Sequence, residues 1–316
     1  MNKGIEFLNN IVEPVTLIFH NDTDGVCSAT LIYTYLKRKG IKVKLYSGDV
    51  EERTFGKAEA SPVVITVDLP VDSYPEYLNK FNKSKILVID HHPIKNDLNK
   101  QGIVHINPRF DDPNIYKSAS EVCYELLKDI SYPQEWIMRV GAVGDCSIKG
   151  TKKEKLASNL IEAIKVIRKT VYLPELVEIL SDTETLDDFI TNKTFLEINN
   201  TFQKEINRLI EQFEKKGVKD INFFEIESEY SLKAILANVL FDRHPSKSIF
   251  VYQKTDDGSY RISVRSRQFN VGKVLEQVVK EIGGTGGGHE VAGAANVKDI
   301  EEFKAKIIEL IKSKEK

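Results

Sequence analysis

Short apolar runs rich in β-branched residues punctuate the first hundred positions: Val15–Phe19, Ile41–Leu45, Val63–Val67, Ile86–Ile89 and Ile103–Ile106. Runs this short read as buried strands. Between or after them, Val26–Lys39, Val71–Phe81 and Ser118–Lys128 carry apolar residues at helical spacing. The alternation predicts an α/β fold built on a mostly parallel, doubly wound sheet. Ligands in such sheets bind just beyond the carboxyl ends of the strands.

From about Lys152 to Lys216 the strand signals stop and charged helical patterning takes over, for example Leu186–Phe213. A second alternating region follows, with Ile221–Glu225, Lys233–Val239, Ser248–Tyr252, Tyr260–Ser266, Val271–Glu281 and a final helix Ile300–Ile311. The expected organisation is a first domain at 1–185, a connecting helix at 186–218 and a smaller α/β domain at 219–316. The charged tail Lys312–Lys316 is expected to fray.

Composition narrows the class. A chain of 316 residues can bury two cores, and 41% hydrophobic with 29% charged residues suits a folded protein. No apolar run approaches the roughly 18–20 residues of a membrane span, and the N-terminus has no basic region followed by an apolar stretch. Cys27, Cys123 and Cys146 lack CxxC spacing. A cytoplasmic protein in a reducing compartment, with no membrane partner, is the expectation. The net charge of −2 argues against a general DNA-coating protein. A polyanionic ligand would have to be held by a local basic patch or by metal ions.

Four polar clusters follow predicted strands. His20-Asn21-Asp22-Thr23-Asp24-Gly25 comes after Val15–Phe19, Asp68 after Val63–Val67, and Asp90-His91-His92 after Ile86–Ile89. Asp145 follows Gly141-Ala142-Val143-Gly144, beyond a helix predicted from Gln134. A single aspartate at such a place serves most often as a cap or turn residue. Hard oxygen and imidazole ligands at several strand ends converge on one crevice, and capping alone does not call for that. The mixed O/N donors suit Mn²⁺, with Mg²⁺ or another divalent ion as the alternative. The donors exceed one ion's needs and match two ions about 3.5–4 Å apart. Gly25 would let the chain turn sharply into the next helix.

These residues resemble the DHH-family phosphoesterases, whose name-giving triplet stands here as Asp90-His91-His92. The HNDTDG run, Asp68 and the GDC around Asp145 resemble further family motifs, in matching order over essentially the whole chain. The resemblance implies one metal on His20, Asp22 and Asp68, and a second on Asp24, Asp68, His91 and Asp145, with Asp68 bridging. It further implies that Asp90 orients the histidines and that His92 faces the scissile phosphate. Bacterial RecJ nucleases commonly carry an aspartate where this chain has His20, while other branches use histidine there.

The run Gly283-Gly284-Thr285-Gly286-Gly287-Gly288-His289 exposes backbone N–H groups with almost no side chain in the way, as an anion-binding loop requires. Its position between an amphipathic helix and Val291-Ala292-Gly293-Ala294-Ala295 argues against a flexible linker. The GGGH-x-x-AG pattern resembles the DHH-associated C-terminal domain. That resemblance implies a substrate site made by Gly286, Gly287, Gly288 and His289 with Arg265 and Ser266, the arginine gripping a phosphate. Arg261 and Arg267 alternate on the same face and add basic character; Asn107-Pro108-Arg109 could place another arginine near the site, with a turn the favoured role.

Together the resemblances imply metal-assisted phosphodiester hydrolysis. A single-strand exonuclease on DNA or RNA that releases 5′-mononucleotides is favoured, with 3′→5′ polarity slightly ahead. The HxDxDG form of the first motif is similar to the compact archaeal RecJ-like nucleases associated with repair helicases. A helicase or other replication or repair protein, or a second copy of the chain, would then be the protein partner. The alternatives are a nanoRNase or phosphoadenosine phosphate phosphatase acting on short oligonucleotides, and a replication or repair scaffold with little activity. A cyclic-dinucleotide phosphodiesterase would usually bring sensory or membrane segments, which the sequence does not show.

Overall fold

The computed structural model describes residues 1–255 and 257–313; positions 314–316 of the charged tail lie outside them. The chain forms two compact units, Met1–Asn200 and Thr201–Lys316. In the first, α1 (Asn2–Asn9) precedes β1 (Val15–Phe19), α2 (Thr23–Arg38), β2 (Val43–Ser47), α3 (Glu52–Lys57), β3 (Val63–Val67), β4 (Lys85–Ile89) and β5 (Val104–Ile106). Helices then take over: α4 (Ala119–Leu127), α5 (Glu135–Gly144), α6 (Lys152–Arg168), α7 (Leu173–Asp182), α8 (Leu186–Ile190) and α9 (Lys193–Lys215). The division between the units falls inside α9. The stretch expected as one connecting helix contains two, α8 and α9.

The strands lie in the order β2-β1-β3-β4-β5, all parallel. This is the predicted doubly wound sheet. Every residue of β1 and β3 is buried, because both faces are covered. Leu17, Phe19, Ile65 and Ile89 pack with Val26, Val122, Val140 and Ile161 of the helices. On the opposite face Ile18, Val64 and Val88 meet Phe55, Leu69 and Phe81.

Three local expectations change. The stretch Val71–Phe81 is two short 3₁₀ turns, Val71–Ser73 and Pro75–Phe81, since Pro75 has no N–H to continue a helix. Strand β2 begins two residues later than the apolar run, because the Ile41 N–H is tied to the Leu36 carbonyl at the end of α2. Helix α2 begins three residues earlier than its pattern, with Asp22 as N-cap accepting from the Gly25 N–H at 2.9 Å. Ser118 with Glu121 and Thr151 with Glu154 form reciprocal caps that start α4 and α6.

The second unit orders its elements as β6 (Ile221–Glu225), α10 (Lys233–Arg243), β7 (Ser248–Lys254), β8 (Tyr260–Arg265), α11 (Val271–Ile282), β9 (Thr285–Gly288), β10 (Ala292–Val297) and α12 (Ile300–Ser313). The sheet runs β6-β7-β8-β10-β9, parallel only between β6 and β7. Phe250, Ile262 and Val264 pack on one face against Val274, Val278 and Phe303 of α11 and α12. Among the described residues no helix is long and apolar enough to cross a membrane.

Candidate metal centre and phosphate site

The parallel ladder extends one residue past the strands. The His20 N–H reaches the Val67 carbonyl, Asp68 reaches Ile89, and Asp90 reaches Ile106. Backbone pairing alone therefore lines up His20, Asp68 and Asp90 across three adjacent strand ends. The place is the point where the strand order reverses, between β1 and β3, which is where such sheets open a crevice. Asp68 adopts φ 60°, a left-handed conformation that turns its carboxylate out of the strand line. Aspartate tolerates it better than most residues.

Asp145 does not follow a strand. It is the C-cap of α5, and α5 carries it to the sheet by packing on α2. Asp22 and Asp24 do not extend a strand either. One caps α2 and the other lies in its first turn, where both Asp24 oxygens accept from the N-terminal amides of α4, Ala119 at 2.6 Å and Ser120 at 3.1 Å. Gly25 sits inside that turn rather than at a bend. A Cβ there would lie 2.3 Å from the His20 carbonyl oxygen. Gly25→Ala is expected to cost about 3 kcal/mol or more, because the obstacle is backbone that cannot swing aside; denaturant unfolding measures it, and a loss under about 1 kcal/mol would contradict the close approach.

The side chains converge. His20 Nδ1 lies 2.8 Å from Asp22 and 3.5 Å from Asp68, while His91 Nε2 is 3.2 Å from the other Asp68 oxygen. His91 Nδ1 is 3.7 Å from Asp145, and His92 Nδ1 is 2.8 Å from Asp90. Three groups have donor atoms within 4.8 Å of one another and could hold metal ions: His20, Asp22 and Asp68; Asp24, His91 and Asp145; and Asp68, His91 and His92. Asp68 and His91 each belong to two groups, so the groups are contiguous. Asp68 Oδ2 and His91 Nδ1 are buried without a hydrogen-bond partner among the described residues. Orphaned polar atoms within these groups fit divalent ions.

The electrostatics follow from crowding. Burial, then repulsion from Asp68 and Asp22, pushes the Asp24 carboxyl well above its ordinary range. Burial and the Asp22 charge do the same to Asp68. Burial opposes a charged His20, but the nearby carboxylates of Asp22, Asp49 and Asp68 outweigh it and lift its pKa to about 12. Asp90 is also buried, yet its bond from His92 keeps it below the usual carboxylate range. Asp90 is therefore ionised, and the His92 Nδ1–H donates to it.

Two polar neighbours are not evident in the sequence pattern. Asp49 lies 3.3 Å from His20 Nε2, so that imidazole is held from both ring nitrogens. It lies just past β2, and the strand shift hid that position. The Tyr116 hydroxyl donates to Asp145, a contact between distant positions with no local signal. Arg109 and Asn107, read as turn residues, also brace the triplet: Arg109 Nε donates to the His91 carbonyl and Asn107 Nδ2 to that of His92.

In the second unit the middle of the glycine run is a strand and not a loop. Residues Thr285–Gly288 form the edge strand β9, with Gly286, Gly287 and Gly288 opposite Ala295, Ala294 and Gly293 of β10. Gly288 sits at φ 150°, where a Cβ would lie 2.4 Å from the Ala292 carbonyl oxygen, and a Cβ at Gly272 of α11 would lie 2.4 Å from the Gly288 carbonyl oxygen. Arg265 pairs with Ala292, whose carbonyl accepts from the His289 N–H, so Arg265 and His289 share one row across the sheet. Arg265 is half-buried, and Nε donates to Asn238 at 2.6 Å. Ser266 is fully buried, its hydroxyl bonded to Ser248 and its N–H to Val291, so neither group is offered to a ligand. Arg267 lies beyond β8 and stacks over Phe241 rather than extending the Arg261 and Arg265 face.

Residues 14–160 match the DHH family, N-terminal domain, and residues 231–314 match the DHHA1 domain. An uncharacterized protein of Methanocaldococcus jannaschii, MJ0988, is 24% identical over 241 residues; the match covers 73% of this chain and 65% of that protein, under two thirds of its length. Among solved structures, RecJ of Thermus thermophilus in complex with Mn²⁺ superposes with a TM-score of 0.73 at 14% identity, covering 98% of this chain and 54% of that one. The pGpG-specific phosphodiesterase PggH of Vibrio cholerae gives a TM-score of 0.62 at 19% identity, covering 95% and 98%. Likenesses at these identities are likenesses of fold. With the strand-end triplet Asp90-His91-His92 and both matches in order, the chain carries a DHH-family N-terminal domain at residues 14–160 and a DHHA1 domain at residues 231–314.

Proposed function

We propose that the protein is a two-metal phosphodiester hydrolase, Mn²⁺-dependent, acting as a single-strand exonuclease that releases 5′-mononucleotides, 3′→5′ in the favoured direction. The observation that carries this reading is the set of contiguous ligand groups sharing Asp68 and His91. His20, Asp22 and Asp68 would hold one ion; Asp24, Asp68, His91 and Asp145 the other. Bound divalent ions supply activated water near neutral pH and offset charge on the phosphoryl oxygens. His92, fixed through Nδ1 by ionised Asp90, keeps its second ring nitrogen for proton transfer to the leaving oxygen. Arg265 offers a planar fork to a substrate phosphate, oriented by Asn238.

A second reading, hydrolysis of short oligonucleotides, draws support from PggH, a pGpG phosphodiesterase of which this chain covers 98%. Product analysis separates the two, using Mn²⁺, a single-stranded 20-mer labelled at either end, a dinucleotide and phosphoadenosine phosphate. Stepwise shortening of the 20-mer supports the exonuclease and shows its polarity. Turnover of the short substrates alone moves the assignment, and turnover of none overturns the hydrolase. Arg265→Ala is expected to raise KM about tenfold or more with kcat within a few-fold, the pattern of lost ground-state binding; a fall in kcat at constant KM would contradict the role.

A further inference from the structure

Strand residues alternate between the two faces of a sheet. Ile262 and Val264 of β8 point into the core with α11 and α12, which places Arg261, Ser263 and Arg265 on the opposite face. Helix α10 packs over β7 and β8 on that side, while Ala294 and Thr285 on the neighbouring strands are exposed. The result is a trench walled by α10, with small residues along its floor. At its far end from Arg265 is a cavity of about 280 Å³, lined by Lys233, Arg261, Ser263, Thr285, Ala294 and Asn296 among others.

Among the described residues no carboxylate forms an ion pair with the two cations there. Lys233, the first residue of α10, is half-buried and reaches only the Gln253 amide oxygen, at 3.4 Å. Burial, and then the charge of Arg261, depress its pKa below the usual lysine value. Among the described residues neither Lys233 nor Arg261 has an ion-pair partner within 4.0 Å. The Asp257 carboxylate, which feels the Arg261 charge, is already bonded to Thr255 and Ser259. Asn296 Oδ1 is buried in the same region without a hydrogen-bond partner. A half-buried lysine and an exposed arginine lining one recess repel each other, and a bound anion relieves that repulsion.

We propose that Lys233 and Arg261 form a second phosphate subsite, for a nucleotide further along the strand than the one gripped at Arg265. The proposal rests on the reading of the protein as a binder of single-stranded nucleic acid. Arg261 and Arg265 are four residues apart on one strand, about 13 Å at roughly 3.3 Å per residue. One phosphate cannot touch both, so the pair engages substrates several nucleotides long and adds nothing for the shortest ones. The subsite selects for strand length without reading bases.

The test is fluorescence anisotropy with end-labelled dT2 and dT12 in EDTA, so that nothing is hydrolysed, over a series of salt concentrations. It compares the wild-type protein, Lys233→Gln/Arg261→Gln and the charge-preserving Lys233→Arg/Arg261→Lys. The neutral pair is expected to bind dT12 at least tenfold more weakly, with a far smaller change for dT2. Its salt dependence should be shallower by about 1.4, from two lost contacts at roughly 0.7 each on a single strand. The charge-preserving pair should bind as wild type, which excludes misfolding as the cause. Equal losses for dT2 and dT12, or dT12 binding and salt slope unchanged in the neutral pair, would overturn the subsite. Length-dependent binding without Mn²⁺-dependent turnover would leave the subsite standing and remove the hydrolase reading instead.

Discussion

Asp68→Asn is expected to lower kcat/KM for phosphodiester hydrolysis by at least ~10³-fold, about 4 kcal/mol of transition-state stabilisation. Asp68 is the residue whose two oxygens face His20 on one side and His91 on the other, and it belongs to two of the three ligand groups. Losing its charge disturbs both groups at once. Asparagine is the informative substitution because, like aspartate, it accepts the left-handed backbone at φ 60°. Asp68→Ala removes the same ligand but adds backbone strain, so its loss mixes two causes. Steady-state kinetics with Mn²⁺, beside circular dichroism of the same preparation, check the expectation. A folded Asp68→Asn protein within tenfold of wild type would remove the two-metal scheme.

The second large effect is on stability. In the metal-free protein the Asp24 and Asp68 carboxyls titrate well above their ordinary 3.8. The folded state therefore holds protons that the unfolded chain has released. Their contribution is fully present below the unfolded value and is lost as pH rises through the folded one. His20 works in the same sense at higher pH, its stabilisation fading from 6.5 up to about 12. Divalent ions bind the deprotonated ligands, so metal stabilisation should grow as pH rises. At a hundredfold excess over Kd, one ion adds about 2.7 kcal/mol. Thermal unfolding with Mn²⁺ or EDTA at pH 5 and pH 8 is expected to show the larger Tm gap at pH 8, by several degrees at roughly 2–4 °C per kcal/mol. A gap equal at both values, or larger at pH 5, would show that these carboxylates do not bind the ion.

Much of this was written in local chemistry. The β-branched runs at Val15–Phe19 and Val63–Val67 became β1 and β3 with the predicted limits, because strands buried on both faces must be apolar throughout. That His20, Asp68 and Asp90 lie side by side was legible for a related reason: a polar residue ending such a run lies at the carboxyl edge of the sheet. The same logic misled where a distant contact set the geometry. Asp145 reaches the centre on the end of a helix, and Asp49 was obscured because the end of α2 captures Ile41 and shifts β2 along the chain.

The sequence by itself determined the parallel sheet and the types and order of the candidate ligands, since these follow from periodicity and side-chain chemistry. Tertiary structure decided which donors meet. Both Asp24 oxygens are committed to the start of α4, and Tyr116 finds Asp145, only because helices far apart in sequence pack together. It also decided the state of the glycine run. Composition showed an open backbone, but the pairing partner β10 and the close approach of Gly272 turned that backbone into an edge strand. Hydrogen-bond partners and steric limits of this kind belong to pairs of segments, and no single stretch of sequence carries them.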